Sequence, residues 1–210
     1  AFFKQHTKTI LMAHTADDVA ENFIMRLGRG SGLKGLAGLQ EMSRQEGMLV
    51  VRPMLAMGRE DIRAYLKKHN LSYIDDPANE DEQFLRVRVR KLKEAFAEAG
   101  LSFEALAAST QSLQRADAAL EHYTEQAQSQ LCAFENETAS VQKELFSQPL
   151  EVQLRLVERV IKTLTGAAMA PRTSKREALL HKMENGRLPA TLGGVKVADK
   201  NGVFLFEKEG

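Results

Sequence analysis

The sequence predicts an α/β region with a parallel sheet, then a long α-helical stretch and a short C-terminal β-hairpin, the whole mostly helical. Three observations carry this: a strand–turn–helix succession over residues 8–27, leucines at 106, 113 and 120, and an Asn201-Gly202 pair between two β-rich runs. Lys8-Thr-Ile-Leu-Met-Ala13 is a short apolar run of the kind found in a strand covered on both faces. Thr15, with Asp18 three positions on, has the form of a capping box. Ala16, Ala20, Phe23, Ile24 and Leu27 then share one helical face. Met48–Val51 reads as a second buried strand, and Arg59–His69 as a helix with Ile62, Tyr65 and Leu66 as its inner stripe. Asp75-Asp76-Pro77 marks a turn, and a basic helix follows from about Phe84. From Leu101 to about Thr165 the pattern is helical throughout, and the seven-residue leucine repeat should pack against Leu150, Leu154, Val157 and Ile161. A last helix over 174–185 leads into Thr191-Leu-Gly-Gly-Val195 and the hairpin whose second run is Val203-Phe-Leu-Phe206.

The 210 residues carry 29 Lys+Arg against 28 Asp+Glu, a formal net charge of +1, so overall basicity gives no argument for nucleic acid. The distribution is segregated: 16 basic and 14 acidic groups over 1–100, 5 and 9 over 101–170, and 8 and 5 over 171–210. The single cysteine, Cys132, excludes a disulfide framework, a Cys-based zinc site and a CxxC pair within these residues, and points to a cytoplasmic address. No apolar run approaches the roughly 18 residues that a membrane span needs, and Ala1 starts inside sequence that reads as folded, with no signal segment.

Chemistry concentrates in three stretches. His14-Thr-Ala-Asp-Asp-Val-Ala-Glu21 lies where a strand ends and a helix begins, the place where open α/β sheets hold ligands. Asp18 and Glu21 fall one turn apart on one face, and a cation between them would relieve their repulsion. Mg²⁺ and an amine substrate are the candidates, while helix capping and complementing of the helix dipole account equally for Thr15, Asp17 and Asp18. Next, Gly28-Arg-Gly-Ser-Gly-Leu-Lys-Gly-Leu-Ala-Gly38 allows close backbone approach and adds Arg29 and Lys34, yet fits neither GxxxxGK[ST] nor GxGxxG. Finally, Arg86-Val-Arg-Val-Arg-Lys-Leu-Lys93 places Arg86 and Arg90 on one helical face and Arg88 on another. The segment suits a polyanion, or pairing with Asp75, Asp76 and Glu80–Glu82.

In order and spacing these stretches resemble the tRNA(Ile)-lysidine synthetases of the N-type ATP-pyrophosphatase superfamily. The resemblance lies in His14–Asn22, Arg29–Gly38, Arg52-Pro-Met-Leu55, Asp76-Pro-Ala-Asn-Glu-Asp81 and Arg86-Val-Arg-Val-Arg90, and is strong over residues 8–95. Asn22, Ala78 and Val87 depart from the pattern, and the family's Ser-Gly-Gly-x-Asp-Ser pyrophosphate loop does not occur in these residues. The resemblance implies a partial doubly wound sheet: residues 1–98 as the C-terminal part of an adenine-nucleotide alpha hydrolase-like catalytic domain, 99–168 as a helical tRNA- or substrate-binding domain, and 169–210 as a basic helix plus β-hairpin. An exposed sheet edge and apolar face are expected where preceding strands would pack.

The reaction it implies is ATP-dependent ligation of L-lysine to C2 of the wobble cytidine of an isoleucine tRNA with a CAU anticodon. The C2 oxygen is adenylated, and the lysine ε-amine then displaces AMP to give lysidine. Implied roles are catalysis by Asp18 and Glu21, with Asp18 also holding Mg²⁺ and Glu21 receiving the lysine ammonium. His14, Asp17 and Arg29 would face the nucleotide, and Arg86, Arg88 and Arg90 would face lysine or RNA. Arg172, Lys175, Arg176 and Lys182 form a further candidate RNA surface. The expected partners are therefore tRNA, L-lysine and ATP, with no membrane and with a homodimer left open. A chain with these boundaries is expected to be inactive alone. Two other readings stand beside this one: a non-catalytic RNA-binding module derived from such an enzyme, and another adenylating member of the superfamily.

Overall fold

A computed structural model describes residues 8–45, 47–74 and 80–209. The turn expected at Asp75-Asp76-Pro77, and most of the Asp76–Asp81 motif with it, lies outside the described residues. The chain divides into two compact units, Ala1–Ala118 and Ala119–Gly210, where the sequence suggests boundaries near 98 and 168.

The first unit is α/β. Strands β1 (Thr9–Leu11), β2 (Met42–Gln45) and β3 (Met48–Val51) form a sheet of order β1-β3-β2. β1 runs parallel to β3 with Ile10 opposite Val50, whereas β2 is antiparallel to β3 with Arg44 opposite Leu49. The parallel pair is as expected. β2 is not, because Met42-Ser-Arg-Gln45 is polar and mostly exposed and gives no apolar signal. β1 leads into helix α1 (Ala16–Leu27), then a short helix α2 (Leu33–Leu36), and β3 leads into α3 (Arg59–Lys68). Helices α4 (Leu85–Lys91), α5 (Lys93–Glu98) and the long α6 (Phe103–Leu131) follow.

The apolar core of this unit is small: Ala20, Val89 and Phe103, with Ile24, Met25, Phe96 and Leu106 packed around them. Leu106 thus packs with α1 and α4 residues of its own unit. Two expected stripes also shift. Leu27 is exposed, since the buried run of α1 is Asp17–Glu21. In α3, Ile62 and Leu66 are half-buried at i and i+4, while Tyr65 turns outward and stacks on His69 with ring centroids 4.4 Å apart.

The second unit is a five-stranded antiparallel sheet of order β4-β5-β8-β7-β6 covered by helices α7 (Leu150–Thr165) and α8 (Thr173–Glu184). Its strands are β4 (Cys132–Glu135), β5 (Thr138–Gln142), β6 (Ala190–Leu192), β7 (Val195–Lys200) and β8 (Val203–Lys208). The expected hairpin is there, with Lys200 opposite Val203 and the two loop residues Asn201 and Gly202 both at positive φ. The all-helical expectation for 101–165 fails at β4 and β5. Asn136, at φ 51, turns the chain there between β4, which is mostly exposed, and β5, which alternates buried and more open side chains. α7 drives one wide apolar face, including Val152, Leu156, Val160 and Ile161, onto Ala139, Val141, Val195, Val197, Phe204 and Phe206. Burial pushes the Cys132 thiol up to about 11, so it stays protonated and unreactive at neutral pH. No helix among the described residues is long and apolar enough to cross a membrane.

Candidate active site

The site begins with a helix cap. The Thr15 backbone N–H and hydroxyl both donate to Asp18 Oδ2, at 2.9 and 2.8 Å, and the Asp18 N–H returns to Thr15 Oγ1. This capping box fixes where α1 starts and turns Asp17, Asp18 and Glu21 inward. Three carboxylates within five residues would repel one another if buried alone.

The cation that relieves them is Arg59, the first residue of α3. Its guanidinium reaches Asp18 Oδ1 at 2.8 Å and Glu21 Oε1 at 3.1 Å, and its backbone N–H donates to Asp17 Oδ2 at 2.7 Å. Glu21 is completely buried and is the hub of a fan: Arg90 Nε lies 2.9 Å from Oε1, and Arg86 Nε 3.5 Å from Oε2. Lys93 Nζ completes the set on Asp17 at 3.0 Å. With Glu60 3.8 Å from Lys93 as a fourth carboxylate, the four cations and their partners balance in charge.

The electrostatics follow from this crowding. For Asp17, burial alone would raise the pKa, but the Arg59 N–H and the Lys93 ammonium outweigh it and hold the carboxyl below its ordinary value. Burial opposes the charge on Arg59 and on Lys93 as well, yet their carboxylate partners raise both. His14 moves the other way. Its pKa is lowered, chiefly by burial and further by the Arg52 and Arg86 charges, with Asp18 opposing, so the ring is neutral at pH 7. Its Nδ1 is buried without a hydrogen-bond partner.

These groups line a cleft of about 970 Å³ that also takes in Met54, Ile62, Glu60 and Arg63. That volume suits a nucleotide-sized ligand. Asp17, Asp18, His14, Arg86 and Arg90 all line it, as the sequence suggests. Arg86 makes no hydrogen bond among the described residues; its buried Nε faces Glu21 at 3.5 Å and its terminal nitrogens are left over, so it is the arginine with donors to spare. Glu21 does not line the cleft. Fully buried behind its arginines, it is placed to position them, and the direct contact with a lysine ammonium expected of it is not available in this arrangement.

Arg88 and Arg29 stand apart. Arg88 donates to the carbonyls of Glu82 and Gln83, at 2.8 and 3.3 Å, and so ties down the approach to its own helix. Arg29 is exposed in the glycine-rich loop. That loop is anchored to α1 by Arg26 Nη1 donating to the Gly35 carbonyl at 2.8 Å, and a Cβ at Gly35 would come within 2.8 Å of Ser31 Cβ. Sequence reasoning missed Arg59 and Lys93. The faint signal for Arg59 is its place directly after Gly58, the N-cap of α3. Lys93 carries no signal beyond its place at the end of the basic Arg86–Lys93 run.

The described residues hold no grouping of three His, Cys, Asp or Glu side chains that could ligate a metal. Asp18, expected to hold Mg²⁺, already gives Oδ1 to Arg59 and Oδ2 to Thr15, so this donor set does not fit a protein-built Mg²⁺ site. The four arginines that line the cleft, by contrast, suit the phosphates of a nucleotide.

A cleft at the carboxyl end of a parallel strand, lined with arginines and beside a half-buried neutral histidine, is that of a nucleotide-dependent α/β enzyme domain. Residues 1–95 match the PP-loop domain family, which carries an adenine-nucleotide alpha hydrolase-like fold and implies ATP binding. Over most of its length the chain is similar to proteins named tRNA(Ile)-lysidine synthase. It is 30% identical to that of Ruegeria pomeroyi over 207 residues, 98% of this chain and 49% of the relative. The Bradyrhizobium sp. (strain BTAi1) enzyme is 34% identical over 195 residues, 88% and 54% of the two chains. That of Novosphingobium aromaticivorans is 34% identical over 203 residues, 95% and 60%. The chain thus spans about half the length of the curated relatives it matches.

Proposed function

We propose that this chain forms part of a tRNA(Ile)-lysidine synthase, a ligase that joins L-lysine to C2 of the wobble cytidine in an isoleucine tRNA with a CAU anticodon, at the expense of ATP. The observation that carries this reading is the fan of three arginines on the buried Glu21 beside the orphaned His14 Nδ1, in a nucleotide-sized cleft. ATP supplies a leaving group for an oxygen that is otherwise a poor one.

The protein's contribution is electrostatic and positional. Arg86 presents its unspent donors to a phosphate or to the lysine carboxylate, with Arg90 beside it. His14, neutral and unpartnered at Nδ1, borders the base or ribose. Asp18 orients the incoming amine, which must lose its proton before it attacks. Glu21 holds the arginines in register behind them.

For tRNA, the reading assigns Arg29 and the exposed residues Arg172, Lys175 and Lys182. Arg176 drops out, because it is spent on Glu158 at 2.6 Å and on the Leu154 carbonyl. The test is incorporation of labelled lysine into a CAU-anticodon tRNA(Ile) transcript by the full-length polypeptide. Asp18→Asn and Arg86→Gln should each depress turnover, and near-normal turnover in both ends the proposal. Charge reversal at Arg172, Lys175 and Lys182 should reduce the salt dependence of tRNA binding.

A further inference from the structure

Arg52 belongs to the Arg-Pro-Met-Leu element, of which Met54 alone lines the cleft, and the proposed reaction gives Arg52 no role. It is 3% exposed, yet it makes no ion pair among the described residues. One end of its guanidinium is accounted for: Nη1 donates to the Gln40 carbonyl at 2.8 Å and to Ser43 Oγ at 3.1 Å. The other edge is not, since Nε is buried with no partner. A buried cation without a counter-charge is costly, and the Nε–Nη2 edge left over is the fork that grips a carboxylate or a phosphate bidentately.

That edge belongs to a residue lining a second cavity of about 480 Å³, formed by α1, the β3–α3 connection and the first part of α6. Its walls are largely apolar, with Leu39, Leu55 and Ala107 among them, and the exposed Gln111 and Arg115 supply amide and guanidinium groups from α6. Glu41 also lines it, but is exposed and forms no ion pair with Arg52; with Arg52 and Arg115 the polar lining is one positive charge in excess. Val19, which follows Asp18 directly, lines this cavity, whereas Asp18 itself lines the first.

We propose that this cavity is a separate binding site for an organic anion, a phosphate or carboxylate carried on a planar apolar body, whose charged end is held by Arg52. The Nε–Nη2 edge takes the anion, and the Leu39, Leu55 and Ala107 wall takes the body. A ligand of this kind supplies the counter-charge that the fold leaves out, and the cavity volume lies within the range of small-molecule sites.

The test follows the ¹⁵N–¹H resonance of Arg52 Nε while phenyl phosphate, benzoate or inorganic phosphate is titrated into the protein. At least one ring-bearing anion should shift it saturably, about tenfold tighter than inorganic phosphate. The tighter of the two rings identifies the phosphate or the carboxylate as the natural headgroup. Ala107→Phe, which fills the cavity and leaves Arg52 in place, should abolish the shift, while Arg86→Gln should preserve it. Should Ala107→Phe fail to fold, Ala56→Trp closes the same space from the opposite wall. The site is refuted by an absent or non-saturable shift, by equal affinity for inorganic phosphate, or by a response that survives the filled cavity and disappears with Arg86→Gln.

Discussion

The two units bury different materials. Residues 119–210 bury 18 side chains in one apolar cluster and, among the described residues, a single charged side chain, Arg155, paired with the part-exposed Glu121 and Glu151. Residues 1–118 place three apolar side chains in the cluster on α1 and bury Asp17, Asp18, Glu21 and Arg52 nearby. Apolar burial stabilises without regard to direction, whereas a buried carboxylate is tolerated only if specific cations reach it. The second unit is thus held by area and the first by geometry. The group that stabilises the first unit, the Arg59–Glu21–Arg90 fan, is also the group that shapes its cleft.

The contrast predicts where each unit is most easily broken. Phe206 is fully buried at the centre of the second sheet, so Phe206→Ala should cost about 3–5 kcal/mol in chemical denaturation. A loss below about 1 kcal/mol would show that this core repacks freely and does not hold the unit by area. In the first unit the sensitive position is charged. Glu21→Gln is nearly isosteric but leaves Arg59, Arg86 and Arg90 without their buried carboxylate, a loss of about 3 kcal/mol. That is the lower end for a broken buried pair, because the three arginines stay roughly a third exposed and solvent screens them. Arg86→Gln, which removes one spoke and leaves the hub paired, should cost far less stability while still depressing turnover. Equal stability losses in both variants would mean that Glu21 is not the organising group.

A smaller effect is expected at the cap. Thr15→Ala removes the hydroxyl that both donates to Asp18 and accepts from its N–H, and should cost about 1 kcal/mol of stability. This capping box was legible in the sequence because its partners lie three residues apart, and the Asn201-Gly202 hairpin was legible for the same reason. Arg86 and Arg90 fell on one face through helical spacing alone, as α4 bears out in their shared reach to Glu21. What could not be read was distant in sequence. Arg59 sits 38 residues from Glu21, and Arg90 sits 69, and no local pattern says which cation will meet which carboxylate. The β4–β5 hairpin was hidden for another reason: Cys132–Glu135 and Thr138–Gln142 are short, mixed in polarity, and follow a 29-residue helix without a Gly or Pro to announce the change.

The smallest predicted effect is on His14, and it separates the two causes that lower its pKa. Burial is the larger, and the Arg52 and Arg86 charges add to it. Replacing Arg86 with Gln removes one charge and leaves burial in place, so the His14 pKa, followed by imidazole NMR, should rise but remain below 6.5. A return to 6.5 or above would make charge the principal cause and the pocket wetter than its geometry suggests. The same group sets a pH dependence. A histidine whose folded-state pKa is depressed contributes its full stability above the unfolded value of 6.5 and loses it as pH falls toward the folded value. Asp17 obeys the same sign in a lower window, with stability present above 3.8 and lost as pH falls through its depressed folded pKa. Acid should therefore weaken the first unit in two steps, the His14 step being the one that Arg86→Gln shrinks.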